Sequence, residues 1–352
     1  MYNIEDLTEQ ARRSGASDIH LVCGLPPKYR LDGQLENMAE ARLSEKDCDM
    51  LCQDLAKDAM YEKLEYTGEL DFSREIRGIR CRCHVFKQQG KVSAAIRLLS
   101  ESIPRLDSLG LPPSALEFTS LHKGIVLVTG ETGSGKSTTM CAMLQELANE
   151  ETNLMTLEDP VEYNIPGVNQ CQINEKTGMT FATGLRAILR QDPDVISVGE
   201  IRDGETGAIA IRAAITGHLV LSTLHTNDAV SAIDRLVDIG VEPYLISSAL
   251  RGVISQRLVR KVCPHCKKAY RPEAEELAML GLPENANVQF YRGEGCHECY
   301  HTGYKGRRAV FEIFMLNGRI RRMVTEGAKY DALLRAAVET NFVTMRENCR
   351  NL

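Results

Sequence analysis

Tryptophan is absent from the 352 residues, and aromatic side chains make up only 5% of them. Surfaces on which the bases of a single strand could stack are therefore scarce. A basic excess is missing as well: 42 Lys and Arg stand against 48 Asp and Glu, a formal net charge of −6. Such a balance lacks the broad positive field that nucleic acid binding draws on, so no direct nucleic-acid partner is expected. No apolar run approaches the ~20 residues of a membrane-spanning helix. Met1-Tyr2-Asn3-Ile4-Glu5-Asp6 carries acids where a secretory leader would be basic, and no long apolar stretch follows. The expectation is a cytoplasmic chain.

What is present is ordinary for a globular protein, with 43% hydrophobic and 26% charged residues and a length that suits two domains. The 12 cysteines do not read as a disulfide framework in a chain this large. A reduced compartment with one metal site accounts for them better.

Residues 1–100 are expected to form a small α+β domain. Ile4, Leu7 and Ala11 share one helical face, and a strand is expected over 18–22. Asp32-Gly33 between short apolar runs signals a hairpin. A helix is expected from Ser44 through Met60, then strands over 68–73, 79–86 and 91–98, the last two joined at Gln89-Gly90. Pro104, Gly110, Pro112 and Pro113 punctuate a linker, 101–114. From 115 to 352 the pattern alternates, with strands expected over 125–129, 154–157, 195–198 and 219–223. Helices are expected between and after them, over 136–147, 181–190, 206–215 and 229–239. This series predicts an α/β domain with a parallel sheet covered on both faces.

Gly130-Glu131-Thr132-Gly133-Ser134-Gly135-Lys136-Ser137-Thr138 fits G-x-x-x-x-G-K-[ST] between a strand and a helix. Its glycines let backbone N–H groups wrap a phosphate at a positive helix end. Lys136 is expected at the β- and γ-phosphates of ATP, and the Ser137 hydroxyl on Mg²⁺. The strand 195–198 carries an acid at each end, Asp194, assigned with the nucleotide-binding residues, and Glu200. The extra strand 154–157 argues for an additional-strand ATPase sheet, in which Glu200 is the candidate base that polarises water. Two polar clusters, Glu158-Asp159-Pro160-Val161-Glu162 and Thr216-Gly217-His218 with Ser222 to Thr226, are expected at carboxyl-terminal strand ends. Glu158 and Glu162 are candidate catalytic acids, and His225 could sense the γ-phosphate, although a lone histidine is more often structural.

In this order these motifs, with Ala16-Ser17-Asp18-Ile19-His20-Leu21 and the run from Arg190 to Asp203, make the chain resemble the secretion ATPase superfamily. That superfamily comprises the motors of type II secretion, type IV pilus assembly and competence pseudopili. The resemblance implies a RecA-like ATPase domain preceded by a PAS-like α+β domain. It implies a homo-hexamer, peripheral at the inner face of the cytoplasmic membrane through an inner-membrane platform protein. It also implies that Arg82 and Arg97 approach the γ-phosphate of a neighbouring subunit. A guanidinium suits developing phosphoryl charge, being planar and permanently protonated, whereas strand arginines taken alone are usually solvated surface.

Cys263-Pro264-His265-Cys266 and Cys296-His297-Glu298-Cys299 are two C-x-x-C pairs with the ligand number and knuckle spacing of a closed Cys₄ Zn²⁺ site. The 29 residues between them exceed a zinc-ribbon hairpin, so 263–299 is expected to be a small inserted subdomain with Gly295 and Gly303 supplying turns. In the resembled family such cysteines accompany secretion and extension motors, as do the segments 247–258 and 342–347. The resemblance leads to the expectation of a short form without that group's long amino-terminal adaptor-docking region, like the competence motors. The expectation is an Mg-ATP motor that assembles pilin-like subunits or drives type II secretion. A retraction motor, a nucleic-acid translocase on the same sheet and a nucleotide-gated scaffold are the alternatives.

Overall fold

The computed structural model describes residues 2–31, 33–99, 103–283, 285–340 and 342–352. Contacts divide the chain into residues 1–103 with 160–164, and residues 104–159 with 165–352. No helix among the described residues is long and apolar enough to cross a membrane.

In the first unit, Asn3 caps the helix Ile4–Arg13, which buries Ile4, Leu7, Thr8 and Ala11. The strands are β1 (Asp18–Leu21), β2 (Lys28–Leu31), β3 (Gln34–Asn37), β4 (Glu69–Ile76), β5 (Ile79–Gln88) and β6 (Lys91–Leu98). They form one sheet, β3-β2-β1-β6-β5-β4, antiparallel at every pair. The β2–β3 hairpin forms as expected, although Asp32 of its turn lies outside the described residues, as do Glu101 and Ser102 of the linker. Arg77-Gly78 and Gln89-Gly90 close the next two hairpins with positive φ at all four residues, the turn geometry that follows strand twist. Along β5, Ile79, Cys81, Cys83 and Val85 are buried while Arg80, Arg82 and His84 take the other face. The helix expected over 44–60 stops early. Ser44 and Asp47 form a capping box on Glu45–Ala56, and Lys57 at φ 59° breaks the spiral before a short turn, Asp58–Tyr61.

The second unit holds β7 (Gly124–Thr129), β8 (Leu154–Glu158), β9 (Val168–Gln172), β10 (Val195–Val198), β11 (Leu219–Leu224), β12 (Leu250–Val262), β13 (Lys267–Tyr270), β14 (Phe290–Gly293) and β15 (Tyr304–Met315). Seven of these make one sheet in the order β15-β12-β7-β11-β10-β8-β9, and β13 pairs with β14 separately. All neighbours in the large sheet are parallel except β12 and β15. Every residue of β7, β10 and β11 is buried, as expected for strands covered on both faces. Ile125, Leu127, Ile196 and Val220 join a core with Ile211 of the helix Gly204–Thr216, Leu236 of Ser231–Asp238 and Phe314 of β15. Each such fully buried side chain contributes about 1.5–3 kcal/mol.

Candidate active site and metal centre

Because β7, β10 and β11 run parallel, the segments leaving them gather on one edge of the sheet, the edge where open α/β sheets hold ligands. β7 ends at Thr129, and residues 130–135 turn directly into the helix Lys136–Leu147. The Lys136 ammonium, only 9% exposed, donates to Gly130 O at 2.8 Å and Glu131 O at 3.0 Å. Burial pulls its pKa below the usual lysine range, and the nearby Glu200 carboxylate acts against that pull. Ser137 is exposed at the start of the helix, Thr138 is half-buried, and Glu131 pairs with Arg257 at 3.2 Å.

Glu200 stands just beyond β10, on a segment stitched to the end of β11. Ser222 Oγ donates to Val198 O at 2.7 Å, Thr223 Oγ1 to Gly199 O at 2.7 Å, and Ile201 N to Thr223 O at 3.1 Å. One Glu200 oxygen accepts from Arg202 Nη2 at 2.5 Å, and His225 Nε2 lies 3.8 Å from the other. Burial lowers the His225 pKa, Lys136 lowers it further, and Glu200 opposes both. Lys136, Glu200 and His225 thus share one edge and feel one another's charge. Glu158, the last residue of β8, accepts from Thr156 Oγ1 at 2.6 Å and Gln170 Nε2 at 2.8 Å, so its carboxylate is fixed by its strand and by β9.

Glu162, Arg82 and Arg97 belong to the first unit. β5 and β6 set Arg82 opposite Arg97. Arg82 grips Asp71 with Nε at 3.2 Å and Nη2 at 2.6 Å, and Arg97 Nε meets Asp18 at 3.0 Å. These guanidinium groups are 40% and 64% exposed, so the pairs are solvent-screened and easily exchanged.

Two expectations need correction, for one reason. Asp194 precedes β10, and in a parallel sheet that is the edge opposite the loop. Its carboxylate accepts from Asn153 N at 2.8 Å, joining strand starts rather than meeting a nucleotide. Thr216-Gly217-His218 likewise precedes β11, and His218 Nδ1 lies 2.9 Å from Ala213 O at the end of a helix. Residues given no individual role in the sequence are Arg202, whose signal was its place two residues after Glu200, and Gln256, which lay unremarked inside the family-like segment 247–258.

The four paired cysteines come together. Cys263 Sγ lies 3.9 Å from Cys296 Sγ, Cys266 Sγ 3.8 Å from Cys299 Sγ, and Cys296 Sγ 3.7 Å from Cys299 Sγ. All four sulfurs are within 4.8 Å of one another. A tetrahedron with metal–sulfur bonds of ~2.3 Å needs sulfurs about 3.8 Å apart, so the donor set fits zinc. Cys296 N and Gly303 N donate to Cys299 Sγ at 3.2 and 3.3 Å, the outer-shell support a thiolate ligand requires. Gly295 and Gly303 adopt positive φ around the second pair.

A parallel sheet with a phosphate loop on its ligand edge, flanked by a carboxylate and an imidazole, defines a phosphate-loop ATPase. The chain belongs to the Type II/IV secretion system protein family, whose model matches residues 2–352. It is similar to the type IV pilus assembly ATPase PilB of Thermus thermophilus, 50% identical over 264 residues that are 72% of this chain and 30% of that protein. It is also similar to the type II secretion system ATPase E of Vibrio cholerae, 42% identical over 341 residues, 94% of this chain and 68% of that one. The chain thus spans less than a third of PilB's length. Among solved structures, the pilus retraction motor PilT with bound ADP matches with a TM-score of 0.80 at 35% identity, over 99% of this chain and 92% of that one.

Proposed function

We propose that the chain is the ATPase part of a homo-hexameric motor that hydrolyses Mg-ATP to assemble pilin-like subunits or to drive type II secretion. The observation that carries this is the shared edge of Lys136, Glu200 and His225, with Glu200 held 2.5 Å from Arg202. Lys136 neutralises the β- and γ-phosphates, Glu200 takes the proton of the attacking water, and His225 faces the γ-phosphate. Mg²⁺, when bound, neutralises phosphate charge. The exposed Ser137 hydroxyl is a hard oxygen donor of the kind it prefers. Arg82 and Arg97 act on the nucleotide of a neighbouring subunit, exchanging Asp71 and Asp18 for phosphoryl oxygens.

Residues 1–100 form the arginine-bearing domain, 101–114 the linker, and 115–352 the ATPase domain, with zinc closing the insertion 263–299. The motor sits peripherally at the inner face of the cytoplasmic membrane through a platform protein, without nucleic acid. Retraction is the second reading, favoured by the likeness to PilT. Deleting the gene separates the two directions, because an assembly motor's loss removes surface fibres and a retraction motor's loss multiplies them.

Phosphate release from assembled protein with Mg-ATP, with and without single-stranded DNA, tests the activity. DNA-independent turnover is expected. No turnover in demonstrated rings, or turnover only with DNA, overturns the proposal in favour of a scaffold or a translocase.

A further inference from the structure

We infer that Gln256 is a positioning residue of the phosphate loop: its carboxamide orients the Ser134–Gly135 peptide so that the loop presents its N–H groups to the β-phosphate. The inference rests on reading that loop as the nucleotide site. β12 runs beside β7 with Ser255 across from Thr129, so the next residue, Gln256, reaches under the loop that leaves β7. Gln256 is 1% exposed, and its Nε2 donates to Ser134 O at 2.7 Å. In a trans peptide the C=O and the following N–H point in opposite directions. Holding Ser134 O toward β12 therefore turns the Gly135 N–H away from β12, toward the cradle.

The fit between loop and strand leaves no room for side chains. A Cβ on Gly135 would lie 2.9 Å from Gln256 Nε2, and one on Gly130 would lie 2.4 Å from Gln256 O. The Gln256 backbone thus leaves room only for glycine at 130, and a Cβ at 135 would push the Gln256 carboxamide away from Ser134 O. A second observation comes from Thr129 Oγ1, Ser134 Oγ, Ser255 Oγ and Gln256 Oε1, all buried with no hydrogen-bond partner among the described residues. Buried polar atoms are nearly always paired, and a purely structural join between strand and loop would be apolar. The root of the loop is instead a polar seat in which partners can exchange as a phosphate arrives.

Gln256→Met keeps the length of the side chain and removes its donor. ADP and AMP binding to the full chain are measured for wild type and variant, since only ADP carries a β-phosphate. ADP affinity is expected to fall about tenfold, the scale of one lost hydrogen bond to the binding surface, while AMP affinity stays. Gln256→His, which restores a ring N–H at similar reach, should recover most of the ADP preference and carries the test if the Met variant does not fold. An unchanged ADP-to-AMP ratio overturns the inference, whether both affinities stay or both fall together. Failure of the wild-type chain to bind ADP would instead overturn the reading of the site itself.

Discussion

Arg202 reaches back two residues to Glu200, its Nη2 2.5 Å from one carboxylate oxygen, while His225 stands 3.8 Å from the other. The carboxylate is thereby oriented between two nitrogens. Glu200→Gln should still bind ATP but hydrolyse it at least ~10²-fold more slowly, the scale of a lost positioned base. Arg202→Ala should cost less than about tenfold, because an ion pair whose arginine is 61% exposed is largely screened. Steady-state phosphate release by the two variants checks both, and normal turnover by the Gln variant would remove Glu200 from the chemistry.

Glu312 of β15 is 4% exposed and accepts two backbone donors, Ala229 N and Met345 N, each at 2.8 Å. Burial raises its pKa above the ordinary 4.5, and the two N–H groups resist that rise. Between 4.5 and its raised value the folded chain holds a proton that the unfolded chain has released. Stability from this group is therefore full below that window and falls as pH rises through it. Glu312→Gln can serve only one of the two donors, so it should destabilise by about 1–3 kcal/mol near neutrality. It should also flatten the pH dependence. Denaturant unfolding across that window reads both effects, and an undiminished slope in the Gln variant would assign the titration elsewhere.

Freshly purified, reduced protein should contain about one zinc per chain, measured by elemental analysis. Removing the metal should loosen 263–299 without unfolding the seven-stranded sheet, since metal-binding energy is folding energy only for the small module it closes. Hydrogen exchange localises the change. Protein that carries no zinc, or a chelated sample whose exchange rises throughout the sheet, contradicts this.

Arg82→Ala and Arg97→Ala should each depress hydrolysis and leave ATP affinity nearly intact, because an inserted guanidinium acts on charge that develops in the transition state. Comparable arginines contribute on the order of 10³–10⁵ in rate. Activity per chain should rise with concentration as rings form. Mixing Lys136→Ala with Arg97→Ala chains should restore part of the activity, since some interfaces then pair an intact loop with an intact arginine. Mixed rings that stay inactive, or full activity in a demonstrated monomer, rule out a shared site.

Strands buried on both faces, such as 125–129 and 195–198, were legible because apolar runs of that length need no partner to be recognised. β9 was not: Val168-Asn169-Gln170-Cys171-Gln172 is mostly polar, and only its pairing with β8 makes it a strand. β12 and β15 escaped because their partner lies some fifty residues away and their outer halves are rich in exposed arginine and lysine. The phosphate loop and the cysteine pairs were readable from spacing, which the backbone itself imposes. Asp194 was misplaced because a strand's two ends look alike in sequence, and only the direction of the sheet tells which one meets the ligand. Gln256 could not be found at all, since its role depends on β12 lying next to β7.

The cysteine cluster sits where Val262 of β12 leads into Cys263 and where Cys299 leads within five residues into Tyr304 of β15. A two-stranded ribbon with a free tip unzips from that tip inward, losing one rung at a time. Here four cysteine sulfurs meet at the tip, where a bound metal would buckle it, and Gln256 lies about 20 Å down the same strand at ~3.4 Å per residue. With the metal bound, unzipping would have to break that buckle or start from the middle, against rungs on both sides. A metal held by the four sulfurs would thus brace the floor of the phosphate loop from a distance at which it touches no nucleotide.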